Sequence, residues 1–220
     1  MAKSIYDFKE KIHATIINPY LTKEDFKIYL DLISEYNLKN ISTSLGFLKY
    51  LKDLKSRTNL KVNTLISYPL SDIPEQILKE LIDYAIEEGS DGIEYVPKFF
   101  LLSKNNEEDF ANDIENIYKS DLPITLIFNK TKLNKDIFIK AIKISLEIGI
   151  EKFQFGDGFN TQIRNTDIRE IRSILNKNIL IKAAGGINNL NQVIELLNDG
   201  LDCVGTSNFH NIFKTIKLEK

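Results

Sequence analysis

The chain has a single cysteine, Cys203, so no disulfide can form within it. That thiol sits in the apolar run LDCVG and reads as a core residue, not a reactive one. No apolar run reaches the ~18 residues of a membrane-spanning helix, and the start, MAKSIYDFKEK, lacks the apolar middle of a secretion signal. No membrane partner is therefore expected, and a reducing cytoplasm is the expected compartment. Long blocks of like charge are also missing. The 29 basic and 31 acidic side chains are interspersed for a net charge of −2, which leaves no footprint for nucleic acid. No linker rich in proline, glycine or serine divides the 220 residues, so 1–220 is expected to fold as one domain. Metal-ligand spacing and a Ser or Cys triad are absent too. His13, Glu94 and Asp157 are the only candidates for a metal and no spacing joins them, so neither metal nor cofactor is expected.

What is present is an alternation of short apolar runs with longer stretches of helical periodicity, the pattern of βα units around a parallel sheet. Strands are expected at His13–Ile17, Ile41–Ser44, Val62–Ser67, Gly92–Val96, Ile124–Phe128, Phe153–Phe155, Ile179–Ala183 and Cys203–Gly205. Between them, Leu190, Val193, Ile194 and Leu197 make one helical stripe, Ile77, Leu78, Leu81, Ile82 and Ala85 another, and Asn106–Lys119 a third and more polar one. Thr22 with Asp25 and Pro74 read as helix starts. Three helices run into a glycine just before the next strand, in IEEGSDGIEYV, LEIGIEKFQF and LNDGLDCVG. Eight such units fit a compact α/β TIM (β/α)8 barrel. A doubly wound open sheet is the alternative.

In such a barrel the active site lies at the C-terminal ends of the strands. Lys182, in the apolar strand ILIKAA, is the first candidate, because a lysine enclosed among apolar groups loses hydration and can act as a nucleophile or proton carrier. Glu94 in GIEYV is the matching acid or base, or else the partner in a structural ion pair. Lys98, just beyond that strand, reads as loop surface, and His210 as helix surface. Gly185 and Gly186 after strand seven, with Gly205, Thr206, Ser207 and Asn208 after strand eight, form two turns whose backbone N–H groups suit an anion. A helix expected over Phe209–Ile216 adds its N-terminal partial charge. His13, Thr15 and Asp157 are additional candidates, and Gln154 lies on strand six beside Lys182.

Motifs in this order along nearly the whole chain resemble those of the deoxyribose-phosphate aldolases. ATIINPYLTKEDF is similar to the family's Thr-Leu-Leu-Lys-Pro-x-x-Thr, VNTLISYPLS to Val-Ile-Gly-Phe-Pro-Leu-Gly, and SDGIEYV to Ala-Asp-Glu-Ile-Asp-Met-Val. FQFGDGF resembles Val-Lys-Thr-Ser-Thr-Gly-Phe, IKAAGGI resembles Val-Lys-Ala-Ser-Gly-Gly-Ile, and DCVGTSN resembles Arg-Ile-Gly-Thr-Ser. The resemblance implies a TIM barrel and a class I aldolase, with Lys182 and Glu94 at the family's second lysine and strand-four aspartate. It also puts Gln154 at the Schiff-base lysine and Phe128 at the strand-five glutamate, while the Cys-Val-Asn-Pro of strand two has no counterpart in ISTSLGF.

Three readings follow. The first is a carbon–carbon lyase on a small phosphorylated sugar or aldehyde, its imine moved to Lys182. The second is an acid–base isomerase or lyase without an imine. The third is a non-catalytic sugar-phosphate-binding barrel. The oligomeric state is left open, a homo-oligomer included.

Overall fold

The computed structural model describes residues 5–103, 106–158 and 162–218. Phe159, the last residue of FQFGDGF, lies outside them. Eight parallel strands close in sequence order into one barrel: β1 (Ile12–Ile16), β2 (Asn40–Ser44), β3 (Lys61–Ile66), β4 (Gly92–Tyr95), β5 (Ile124–Phe128), β6 (Lys152–Phe155), β7 (Leu180–Ala184) and β8 (Cys203–Thr206), with β8 pairing back onto β1. The TIM barrel expected from the βα alternation is thus the fold, with no strand end shifted by more than one residue. Outside it lie α1 (Lys23–Tyr36), α2 (Leu48–Ser56), α3 (Glu75–Glu87), α4 (Phe100–Ser103), α5 (Glu107–Tyr118), α6 (Lys135–Ile148), α7 (Asn165–Ile174), α8 (Leu190–Asn198) and α9 (Phe209–Leu218). Among the described residues, no helix is long and apolar enough to cross a membrane.

Local signals set the helix limits. Thr22 and Asp25 form a reciprocal capping box at the start of α1, the Asp25 amide donating to Thr22 Oγ1 at 3.1 Å. Pro74 occupies the N-cap of α3 and Asn106 that of α5. The three glycines expected to stop helices, Gly89, Gly149 and Gly200, all take the left-handed conformation, with φ of 82°, 104° and 105°.

Side chains alternate across each strand, one set filling the barrel and the other meeting the helices. Phe128 belongs to the outer set. Its ring is fully buried and lies 5.5 Å from Phe153, 4.9 Å from Phe99 and 6.1 Å from both Phe138 and Phe155, mostly edge to face. It therefore does not stand in for a strand-five acid facing the interior. That direction belongs to Ile127, which packs with Leu65 and Val96. Lys98 also departs from expectation. Its Nζ sits 2.9 Å from the buried Asp113 of α5, which accepts from the Lys98 amide and the Tyr95 hydroxyl as well, so this lysine ties the β4 loop to a helix. His210 is exposed, as expected.

The five-ring cluster around Phe128 joins strands β5 and β6 to α6. Truncation in Phe128→Ala is expected to cost about 3–5 kcal/mol of stability through lost burial and an unfilled cavity. Urea denaturation of the two proteins measures that difference directly.

Candidate active site

Three polar residues on the inner face of the barrel are almost completely enclosed: Glu94 at 1% exposure, Gln154 at 3% and Lys182 at 5%. Gln154 and Lys182 are register partners on β6 and β7, while Glu94 stands on β4. From β7 the Lys182 stem crosses the interior, and its Nζ donates to Glu94 Oε1 at 2.5 Å and to Ser42 Oγ, on β2, at 2.8 Å. Ser42 donates in turn to the same Glu94 oxygen at 2.8 Å. Two buried opposite charges and a hydroxyl thus partner one another through a single carboxylate oxygen, at a level where an apolar barrel would leave them stranded.

Passage for the lysine comes from Gly205. A Cβ built on that residue would lie 2.9 Å from Lys182 Cε and 3.3 Å from Ala184 Cβ. Ala184 and Gly205 are register partners, so the absent side chain on β8 is the space through which the amine reaches across. This second duty of Gly205 is a matter of packing and adds to its position beside the loops.

Above these residues opens a cavity of about 350 Å³, within the range of small-ligand sites. Glu94, Gln154 and Thr15 form part of its wall, and Gly185, Gly186, Gly205, Thr206 and Ser207 supply another part. The expected anion turns therefore converge on one space. Thr206 Oγ1 donates to the Ile187 carbonyl at 2.7 Å, which ties the two turns together. Asn208 is outside the wall. Its amide donates to Thr206 Oγ1 at 3.0 Å and its side chain to the Asn188 carbonyl at 2.8 Å, so it braces the turns. Asp157 lines the cavity, with its carboxylate accepting from Asn129 at 2.6 Å and from Lys132 at 3.3 Å. The Tyr68 hydroxyl donates to the Asp157 carbonyl at 2.5 Å; burial first, then the carboxylates of Asp157 and Glu94, raises its pKa.

Lys182 is absent from that upper wall. It lines instead a second cavity of about 460 Å³ toward the N-terminal ends of the strands, together with His13, Lys152 and Cys203, and Glu94 borders both spaces. His13 is the second residue of β1 and Thr15 the fourth, so the two candidates on one strand face opposite ends of the barrel. His13 consequently does not join the upper site. Among the described residues, no group of three or more His, Cys, Asp or Glu is placed to hold a metal. Cys203 is partly exposed, with a thiol pushed up to about 12 chiefly by burial. Two contributors went unseen in the sequence. Ser42 was signalled only by a polar residue on the inner face of a strand, and Tyr68 only by its place in SYPLS.

Burial first, then the charges of Lys182 and Lys152, lowers the His13 pKa from 6.5 to about 3. Between those values the unfolded chain binds a proton that the native imidazole refuses. Stability is therefore expected to fall as the pH drops from ~6.5 toward ~3, with a slope of up to about 1.4 kcal/mol per pH unit from this group. Denaturation curves across that window for the wild type and His13→Gln check the sign, the variant losing this part of the slope.

No family model matches the chain. Curated relatives do. A deoxyribose-phosphate aldolase of Mycoplasma capricolum is 25% identical over 199 residues, spanning 89% of this chain and 90% of the relative. One of Thermococcus kodakarensis is 28% identical over 203 residues, spanning 89% and 91%. Among solved structures, the tetrameric deoxyribose phosphate aldolase of Aeropyrum pernix superposes with a TM-score of 0.87 at 18% identity, covering 99% of this chain and 94% of that one. That structural likeness is one of fold. Over about nine-tenths of its length, this chain is similar in sequence to deoxyribose-phosphate aldolases, and it has their eight-stranded barrel.

Proposed function

We propose that this chain is an aldolase-type lyase that makes or breaks a carbon–carbon bond in a small phosphorylated sugar or aldehyde. The observation that carries the reading is the buried Lys182–Glu94 pair directly beneath a cavity edged by the turns after β7 and β8. A phosphate held against Gly185, Gly186, Thr206 and Ser207, at the N-terminal end of α9, meets backbone dipoles that favour an anion. Its carbonyl end then points down toward the lysine.

In this reading the imine forms on Lys182. Nζ hands a proton to Glu94 Oε1, already in hydrogen-bond contact, and the neutral amine attacks the carbonyl carbon. Glu94 returns the proton as water leaves, giving the iminium. Cleavage sends the electron pair of the carbon–carbon bond into the iminium to make an enamine, while the departing hydroxyl loses its proton to Glu94 and becomes an aldehyde. Protonation of the enamine and hydrolysis of the resulting iminium regenerate the amine. Support comes from the register, which sets Lys182 beside Gln154, and from Gly205, whose missing side chain opens the space between the lysine stem and the cavity wall.

One observation favours a second reading. Nζ is held by both Glu94 and Ser42, and Glu94 reaches the upper cavity while Lys182 does not line it. Glu94 would then move protons on a sugar phosphate with Lys182 as its counter-charge and no imine. Borohydride reduction with acetaldehyde or glyceraldehyde 3-phosphate separates the two readings. Imine chemistry predicts a reduced adduct on Lys182, lost in Lys182→Arg, and a rate lowered roughly 100-fold or more in Glu94→Gln. Solvent deuterium entering the sugar phosphate with no adduct would instead identify the second.

A further inference from the structure

Gln154 presents an acceptor with nothing to accept. Its amide nitrogen donates to the Gly156 carbonyl at 3.1 Å, and because a carbonyl can only accept, this contact fixes which end of the amide is nitrogen. Oε1 is then left enclosed, with no donor among the described residues. Glu94 is in the same condition on one side. Its Oε1 takes both Ser42 and Lys182, while Oε2 is enclosed and has no partner among the described residues. A buried acceptor without a donor is costly enough that most folds remove it or fill the gap. Here two such acceptors belong to residues of one cavity wall.

The cavity therefore has opposite chemistry at its two ends. Its rim includes the glycine-bearing turns after β7 and β8, and its wall includes the two residues whose enclosed oxygens lack a donor. A molecule that fits both carries an anion at one end and hydrogen-bond donors at the other. A methyl or methylene group beside the carbonyl supplies no donor. A hydroxyl there does.

We infer that the ligand of this cavity is a phosphosugar bearing a hydroxyl on the carbon next to its carbonyl, and that Gln154 Oε1 accepts the hydrogen of that hydroxyl. The inference rests on the phosphosugar reading above and deepens it. The register supports the placement: Gln154 pairs with Lys182, so the amide and the lysine that would address the carbonyl start from neighbouring strand positions. Gln154 is in this respect a specificity residue, favouring 2-hydroxy over 2-deoxy sugars.

Calorimetric titration of the full chain with ribose 5-phosphate, 2-deoxyribose 5-phosphate and inorganic phosphate tests this. The two sugars differ only in the hydroxyl in question. Ribose 5-phosphate is expected to bind roughly 10- to 100-fold more tightly, the range for one satisfied buried acceptor, and in Gln154→Met the ratio of the two affinities should fall to near one. Equal affinities in the wild type, or a preference that survives Gln154→Met, would overturn the inference while leaving the phosphosugar reading in place. Binding of neither sugar would defeat that reading itself and this inference with it.

Discussion

The interior of this barrel depends on one ion pair. Burying a lysine or a carboxylate alone costs several kcal/mol, and the chain encloses both at the same level, where each has the other as its partner. The neighbourhood follows from that need. Ser42 supplies a hydroxyl that donates to the carboxylate and accepts from the amine, and Gly205 withholds a side chain so that the lysine stem can pass. Charges so enclosed are screened little by solvent, so the pair feels the charge of whatever fills the cavity above.

Two spaces meet at that pair, and the chain gives them different surroundings. The upper one is edged by turns whose shape is set by Thr206, Asn208 and the Tyr68–Asp157 contact. The lower one holds His13, Cys203 and Lys152. The imidazole there is kept neutral and the thiol protonated, the latter with a pKa of about 12, so neither is prepared for chemistry at neutral pH. Among the described residues, only Glu94 borders both spaces. Outside the barrel, aromatic packing ties β6, the strand that carries Gln154, to β5 and α6.

Much of this was legible in the sequence because its signals are local. A strand shows in five or six consecutive residues, and a helix stop shows in a single glycine. Lys182 and Glu94 stood out because charge inside an apolar run is expensive, and the paired turns stood out because glycines recur after two consecutive strands. Misreadings came from position along a strand and from parity. His13 and Thr15 share an inner face, yet two residues of rise put them toward opposite mouths. Phe128 and Ile127 are adjacent, yet only the latter looks inward. Ser42 was invisible for a different reason. Its value lies in contacts with residues 52 and 140 positions away, and no spacing within ISTSLGF encodes them.

Gly205 belongs to two structures at once. It is part of the rim that would grip one end of a ligand, and it is the gap through which the amine reaches the other. A side chain acquired there would be felt at both ends together, moving the lysine whenever it altered the rim. The barrel thus has a position at which affinity and reactivity are locked to one another. Independent adjustment of either has to be sought elsewhere: on β6 at Gln154, in the loop at Tyr68, or in the turn at Ser207.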